Sequence, residues 1–561
     1  MDRRAARQVF EQIAASLALK GDNAFRIRAF ENAARVVAEF PGDLDEAVRT
    51  GTLAEVEGIG KASLEIARDL VTTGRSSFLD DLREQVPPGL IEMLRIPGLG
   101  VAKVRLIHDT LQVDTLAELE LAATDGRLAA LPRFGTKTAE KVRKGIAYLR
   151  RSREFSLLHH ARSEAEALRR ALVTLDGVLR VEIAGSVRRA HEIIRDIDVV
   201  VLHAAGARDG LVQRLGDTPG VTEFVWNEAY VTLRFDSGLV ADIGLTTATD
   251  FGLYWVRATG SAEHVRQLEA RGLGPEGGPF PDEASVYRAA GLPWIPPELR
   301  EGTGEIEAAA AGTLPTLVQS ADLQGFLHCH TTYSDGSTTV AQWAVACRDA
   351  GYSWVGITDH SGSAGYAGGL KAADVPRQHA EIDAANAKEK GFRILKGVEA
   401  DILADGTLDY GPEVLDQFEF VIGSIHQRFG MNGDEMTARV LRAMDDPRMT
   451  ILGHPTGRLL LSRDPYDLDI ERVLARAAEA GIAIEVNADP HRLDLDWRMV
   501  RRARDLGVTL SIGADAHSVA GMANVAVGLD VARKGWLEPK HVLNARDAGA
   551  VLAFASARRA S

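Results

Sequence analysis

The sequence predicts a multidomain chain with an all-α N-terminal part, an α+β middle and a C-terminal barrel of seven β/α units. Three changes of rhythm predict it. From Met1 to about Arg153 apolar residues recur at three- and four-residue spacing, broken by short Gly or Pro turns, the pattern of packed helices. From Val181 the period becomes that of strands, at residues 181–184, 197–202, 231–235 and 239–243, rich in β-branched side chains. Beyond Leu323 short apolar runs alternate with helical stretches, as β/α units do. The runs are 325–328, 354–358, 394–398, 420–424, 450–453, 482–486 and 509–512. A chain of 561 residues is too long for one core, so the changes are placed as boundaries between residues 1–90, 91–154, 155–247, 248–302, a linker at 303–322, and 323–561. Residues 301–315, rich in Ala, Gly, Thr and Glu, show no apolar pattern and define that linker.

Composition excludes several classes. Apolar residues at 45% and charged residues at 26% are those of a folded globular chain, not a disordered one. Only Cys329 and Cys347 are present, so a disulfide framework and a thiolate metal cluster are both excluded, and any metal falls to His, Asp and Glu. No apolar run approaches the roughly 20 residues of a membrane span, and the expected location is cytoplasmic. The net charge of -14 argues against nucleic acid at first sight, since Lys and Arg supply most of the affinity for phosphate. Its distribution reverses that argument. Residues 1–155 hold 24 Lys+Arg against 23 Asp+Glu, a net of +1, and the remainder carries -15, where bound cations can offset it.

Three turns in the helical region share one form, Val56-Glu57-Gly58-Ile59-Gly60-Lys61, Ile96-Pro97-Gly98-Leu99-Gly100-Val101-Ala102-Lys103 and Leu131-Pro132-Arg133-Phe134-Gly135-Thr136-Lys137. This is the helix-hairpin-helix signature. Glycines allow a tight turn whose backbone N–H groups, at the start of the second helix, face a phosphate, and a following Lys adds charge. Gly58, Gly60, Lys61, Gly98, Gly100, Lys103, Gly135 and Lys137 are therefore candidates for DNA backbone contacts, which position a protein without reading sequence. In the third turn Arg133 stands where the first Gly belongs.

The middle part carries Ala184-Gly185-Ser186-Val187-Arg188-Arg189, then Asp196-Ile197-Asp198 leading into a strand, and Asp242 among apolar residues on another. Asp196 and Asp198, two apart, project from one face. Side-by-side carboxylates repel unless a cation sits between them, and three can hold two Mg²⁺ or Mn²⁺ ions for a two-metal displacement at phosphorus. Gly185 and Ser186 would bring donors to a triphosphate, with Arg189 as counter-charge.

In the C-terminal part His328, His330, Asp335, His360, Glu399, His426, His454, Asp515 and His517 follow apolar runs or end them. Six of the seven runs deliver such a side chain at the same end, where barrel active sites lie, so the nine are expected to converge. Nine N and O donors without sulfur suit two or three Zn²⁺ or Mn²⁺ ions. Asp359, beside His360, is taken as an acceptor behind the ligands, and Asp489-Pro490-His491 is given no metal. Arg428, Arg458 and His491 follow strands, as substrate-phosphate contacts or as solvated loop residues.

The middle part resembles the nucleotidyltransferase superfamily and, with the hairpins, the family X DNA polymerases, the group of DNA polymerase beta. Thr259-Gly260-Ser261 resembles the family's turn beside the incoming nucleotide, and Gly291 to Arg300 its thumb. The resemblance implies an 8 kDa-like DNA-binding domain at 1–90, fingers at 91–154, a palm at 155–247 with catalytic Asp196, Asp198 and Asp242, and a thumb at 248–302. It also implies nucleotide contacts at Gly185, Ser186, Arg189, Thr259 and Gly260. Departures are Arg257-Ala258 in place of a Tyr-Phe pair at the sugar, Val265 in place of a minor-groove Asn, and Ile66 in place of a Schiff-base Lys. The histidine ring resembles the PHP (polymerase and histidinol phosphatase) domain, a distorted (β/α)7 TIM-like barrel with a trinuclear metal site. That resemblance implies Glu399 bridging two metals and His328, His330 and Asp515 on one. The PHP domain usually has Asp two residues before the first His, where this chain has Phe326.

The resemblances together imply a bacterial family X polymerase with a C-terminal PHP domain, monomeric, nucleoid-associated when bound to DNA. It would take gapped or primed DNA and deoxynucleoside triphosphates, fill short gaps by two-metal nucleotidyl transfer, and remove 3′ nucleotides or phosphates at the barrel. The alternatives are a metal-dependent nuclease or phosphatase with weak or lost polymerase activity, and a non-catalytic repair scaffold. A small-molecule phosphatase such as histidinol phosphatase leaves the hairpins unexplained.

Overall fold

The computed structural model describes residues 3–560 except 41–43, 57, 97, 219, 228, 229, 236, 237 and 274–278, and it divides the chain into two units, Met1–Glu154 and Phe155–Ser561. Among the described residues no helix is long and apolar enough to cross a membrane.

The first unit is helical throughout, and the three- and four-residue spacing of its apolar residues builds two cores. Phe10, Ile13 and Leu17 of the helix Arg3–Lys20 meet Phe30, Ala33 and Val37 of Ala24–Glu39, with Leu53, Ile66 and Leu70 completing the cluster. Met93, Ile96, Val104, Ile107, Leu119, Val142 and Ile146 form the other.

Besides the short antiparallel pair Ser156–Leu157 and Ile193–Ile194, the first part of the second unit forms a five-stranded sheet of β1 (Val178–Ile183), β2 (Ile197–His203), β3 (Val221–Trp226), β4 (Tyr230–Phe235) and β5 (Val240–Thr246). They lie in the order β1-β2-β5-β4-β3, with β2 and β5 parallel and the other neighbours antiparallel. One face buries Val199 and Val201 against Leu158, Ala161 and Ala165 of the helix Leu158–Leu172. The other buries Val200 beneath Phe251 of the helix Phe251–Thr259. That second face carries the acids.

Residues 303–322, expected as a linker, are instead packed. Glu305–Ala310 is a helix whose Ile306 and Ala309 share a core with Leu253, Val256, Tyr287, Leu299 and Trp536. A single apolar pair three residues apart suffices there because Leu314 and Leu317 follow it into the same core.

The remaining strands close a barrel: β6 (Gly325–Cys329), β7 (Trp354–Ile357), β8 (Arg393–Asp401), β9 (Phe420–Ser424), β10 (Met449–Leu452), β11 (Ala483–Asn487) and β12 (Leu510–Ala516). Every neighbouring pair is parallel, and β12 returns to β6. Strands covered on both faces must be apolar along their length, which is why the runs were visible in the sequence. All seven expected strands are present, shifted by a few residues at their ends.

Candidate metal centres and nucleic-acid interface

The three turns of the first unit close with the same hydrogen bond. Ile59 N–H donates to Val56 O, Leu99 N–H to Ile96 O and Phe134 N–H to Leu131 O, at 3.1, 3.0 and 3.1 Å. In each the third residue of the turn is left-handed, with φ of 96° at Gly58, 85° at Gly98 and 67° at Arg133. The third turn thus keeps the geometry with an arginine where a glycine is favoured, at a cost of about 1 kcal/mol. Helices Lys61–Thr73 and Val101–Leu111 start on Gly60 and Gly100 with no side-chain cap, and Thr136–Glu154 starts after Gly135. A Cβ at Gly60, Gly98, Gly100 or Gly135 would meet nothing within 4 Å, so the backbone there is open to a phosphate. Lys61 and Lys137 are exposed, whereas Lys103 Nζ folds back onto Gly98 O at 2.8 Å. Glu57 and Pro97 of these turns lie outside the described residues.

In the sheet, Asp198 on β2 stands directly opposite Asp242 on β5, with Asp196 two residues before Asp198. Thr232 on β4 donates to Asp242 Oδ1 at 2.5 Å. A cavity of about 460 Å³ opens over Asp198 and Asp242, lined also by Tyr230, Tyr254, Arg257 and Ala258. Burial, then the charges of Asp196 and Asp242, push the Asp198 carboxyl up to about 7. Burial and Asp242 raise Asp196 as well. Arg189 and Arg195 oppose these shifts without overcoming them, and the oxygen donors of such a triad fit hard divalent cations. Gly185 opens the short helix Gly185–Arg188 at φ 58°, and a Cβ there would lie 1.7 Å from Asp198 Oδ2. Only glycine brings that helix start onto the acids.

Half-buried Ser186 follows Gly185 on the same short helix. Arg189, expected to face a triphosphate, instead donates to Glu301 Oε1 at 2.9 Å and to the carbonyl of Thr259 at 2.7 Å. Arg188 donates to Thr259 Oγ1 at 2.9 Å and forks onto Glu283 at 2.6 and 2.8 Å. The two arginines therefore fix the Thr259-Gly260 turn. A Cβ on Gly260 would lie 2.8 Å from the ring of His264. Arg257 pairs with Glu269 at the rim, Val265 sits on the next helix, and Ile66 is buried in a core of the first unit.

At the C-terminal end of the barrel all nine expected ligands come together. Glu399 on β8 is the hub: its Oε1 lies 3.3 Å from His328 Nε2, 3.3 Å from His426 Nε2 and 3.0 Å from His454 Nε2. Its Oε2 lies 2.8 Å from His360 Nδ1 and 3.8 Å from His330 Nε2. Asp515 Oδ1 lies 3.6 and 3.3 Å from His328 Nε2 and His330 Nε2. Asp335 Oδ1 is 3.3 Å from His517 Nε2, 3.8 Å from His360 Nε2 and 4.0 Å from His330 Nδ1. Three subsets have ligand atoms within 4.8 Å of one another: His330, Asp335, His360 and His517; His328, His330 and Asp515; His360, Glu399 and His426. The buried atoms His328 Nε2 and both nitrogens of His330 form no well-directed hydrogen bond, and His360 Nδ1 and Glu399 Oε2, though 2.8 Å apart, are not aligned for one. Orphaned buried donors and acceptors of this density fit a divalent-metal cluster. Three of the nine residues, His328, His454 and Asp515, have left-handed backbones at φ 59°, 24° and 49°. Strain of that kind gathers at functional sites.

The groups that orient these ligands were largely missed. His328 Nδ1 pairs with Glu485 Oε1 at 2.5 Å, and Glu485 Oε2 accepts from the His454 N–H at 2.7 Å. Glu485 thus orients the first histidine, while Phe326, where the PHP domain usually has Asp, stacks on Trp343. The signal was a carboxylate inside the apolar strand Ala483–Asn487, and Gly513 leaves it room, since a Cβ there would lie 1.9 Å from Glu485 Oε1. His426 Nδ1 pairs with Asp401 at 2.6 Å. Asp359 accepts from Thr331 N–H at 2.7 Å and from Thr331 Oγ1, Ser334 Oγ and Gln378 Nε2, each at 2.6 Å. Arg458 donates to the carbonyls of Arg492 and Leu493 and pairs with Glu192, Arg428 is exposed, and His491 is exposed beside Asp489.

Known proteins share these features. The PHP domain family matches residues 327–489, a helix-hairpin-helix domain family residues 1–76, and a SAM-like helix-hairpin-helix tandem family residues 90–147. The DNA polymerase/3′-5′ exonuclease PolX of Bacillus subtilis (strain 168) is 34% identical over 566 residues, covering 98% of each chain. A probable phosphatase of Syntrophotalea carbinolica is 27% identical over 233 residues, 39% of this chain and 90% of that one. A probable phosphatase of Caldanaerobacter subterraneus is 31% identical over 171 residues, 28% of this chain and 60% of that one. With hairpin modules, acid-bearing sheet and histidine-lined barrel in one order along nearly the whole length of both chains, this protein belongs to the PolX family, the bacterial family X DNA polymerases that carry a PHP domain.

Proposed function

We propose that this protein fills short gaps in DNA during repair and trims 3′ ends, with nucleotidyl transfer at Asp196, Asp198 and Asp242 and phosphoester hydrolysis at the barrel mouth. One observation carries the polymerase half: Asp198 and Asp242 face each other across a parallel strand pair, with Gly185 against Asp198, at the floor of one cavity. Divalent cations bound at the two sites supply a lowered pKa for the attacking oxygen and neutralise charge developing at phosphorus. The protein's own groups hold geometry. Thr232 fixes one rotamer of Asp242, Gly185 and Ser186 present the start of a short helix to the triphosphate, and Arg188 and Arg189 hold the Thr259-Gly260 turn beside it. At the barrel Glu485 and Asp401 orient His328 and His426, fixing which ring nitrogen faces the cluster. The hairpin turns grip the flanking backbone.

Primer extension on gapped duplex and 3′ degradation, measured side by side with Mg²⁺ and Mn²⁺, test this. Asp198→Ala is expected to lose extension alone and His330→Ala degradation alone. Arg257-Ala258 and Val265 favour a second reading, a nuclease whose polymerase half serves as a clamp, and wild type that never extends under any metal would establish it.

A further inference from the structure

Among its described residues the barrel exposes three large apolar side chains, Val345, Val519 and Tyr366. Val345 and Val519 line one cavity together, whereas Tyr366 stands apart from them beside the histidine cluster. It lies on the short turn Gly365–Ala367, in the loop after β7, and is 64% exposed. Its neighbours Ala364 and Ala367 are buried, so the loop is seated on the barrel while the ring projects from it. That seat is tied to the cluster. Ser363 Oγ donates at 2.9 Å to Oδ2 of Asp401, the acid whose Oδ1 orients His426, and Leu370 N–H donates to the carbonyl of His360 at 2.8 Å. Ser363 N–H adds a bond to Asp409 Oδ2 at 2.8 Å. The ring centroid of Tyr366 is thereby held 6.0 Å from that of His360 and 6.1 Å from that of His426. The space beside it is open, since a Cβ at Gly365 or Gly368 would meet nothing within 4 Å. A ring left in water contributes little to folding. Fixed at the edge of a phosphoester site, it offers the kind of surface on which a nucleobase stacks.

We propose that Tyr366 stacks on the base of the 3′-terminal nucleotide and so makes the barrel selective for base-bearing ends; this rests on the phosphoesterase reading of that site. A single sugar separates a base from its 5′ phosphorus, and Tyr366 stands next to His360 and His426, so a phosphoester held at the cluster carries its base to the tyrosine. Every base has a π-face, and the contact therefore selects a nucleotide without reading which one it is. Because the loop is already held, little freedom is lost when the base arrives. A phosphate ester without a base gains nothing from the ring.

The test uses the full-length protein loaded with Mn²⁺ and two single-stranded oligonucleotides, one ending in an ordinary 3′ nucleotide and one in an abasic residue. For wild type, Tyr366→Phe and Tyr366→Ala, kcat/KM for release of the terminal residue is read on both. Wild type is expected to favour the base-bearing end by about 10-fold. Tyr366→Phe should keep that ratio, since the ring stays, whereas Tyr366→Ala should bring it within about twofold of unity, chiefly through a higher KM for the base-bearing end. Both ends are read in one preparation, so a loss of metal or of folded protein cancels from the ratio. If wild type shows no preference, or Tyr366→Ala keeps it, the proposal is wrong while the phosphoesterase reading stands. If Tyr366→Phe behaves as Tyr366→Ala, the hydroxyl and not the ring makes the distinction, and stacking is overturned as well. Wild type that releases nothing from any 3′ end would instead remove the phosphoesterase reading itself.

Discussion

Glu485 sits in the middle of a strand whose neighbours are all buried, and it makes two bonds at once, to the ring of His328 and the backbone of His454. A carboxylate behind an imidazole fixes its tautomer and raises its basicity as a ligand. Glu485→Gln is therefore expected to weaken metal binding about 10- to 100-fold with the fold retained; titration of the metal-free protein with Zn²⁺ or Mn²⁺ checks it, and an unchanged affinity refutes the role. The nine candidate ligands were legible as a set because they end or follow apolar runs, although Asp335 lies well past the run that ends at His328. Glu485 and Asp401 were not, since their partners His328, His454 and His426 come from other strands and loops that only folding brings near. The contacts of Arg189 were hidden for the same reason: its partner Glu301 lies more than a hundred positions away.

Elements were legible to the degree that burial shaped them. The seven barrel strands are continuous apolar runs and were all found, whereas β3, largely exposed along Val221–Trp226, has no alternation to reveal it. Residues 303–322 passed for a linker because Glu305 looks like a solvated acid; in the fold it is buried and accepts from Gly302 and Thr303 N–H while meeting His264. In the third hairpin, Arg133→Gly relieves a left-handed arginine and is expected to stabilise the first unit by about 1 kcal/mol, read from its chemical unfolding. Lys61→Ala and Lys137→Ala should each lower the salt dependence of DNA binding by about one unit of slope, uniformly across sequences. A similar scale applies to Glu283, which receives Arg188, Arg300 and Trp294. Burial opposes its ionisation, but the hydrogen bonds from Arg188 and Arg300 prevail and hold it at about 2, against an ordinary 4.5. Its folded pKa is depressed, so its contribution is full above about 4.5 and is lost as pH falls towards 2. Wild type should shed on the order of 2 kcal/mol more stability than Glu283→Gln across that window, the variant starting lower at neutral pH because Arg300 is left unpaired.

Across the second unit, sheet and barrel are joined by charge as well as by apolar packing. Lys534, at the end of the helix Asn524–Lys534, is buried over the ring of Trp497 and donates to the carbonyl of Arg189 at 3.0 Å and to Glu301. Glu301 in turn holds Arg189 and His191. Arg162 with Asp530 and Arg533 with Glu298 repeat the theme. Removing one member of a buried network leaves the others uncompensated, so Lys534→Met is expected to cost about 3 kcal/mol or more. It should also slow primer extension although the lysine belongs to the barrel, because Arg189 carries the Thr259 carbonyl; calorimetry and single-nucleotide insertion together check it, and normal insertion in a destabilised protein would disconnect the two. The chain from lysine to glutamate to arginine to turn has a practical corollary for anyone building chimeras. Exchanging the barrel for that of a relative would carry away the anchor of the Thr259-Gly260 turn, and under the proposed function a hybrid lacking a cation at that place should extend primers poorly however intact its three aspartates.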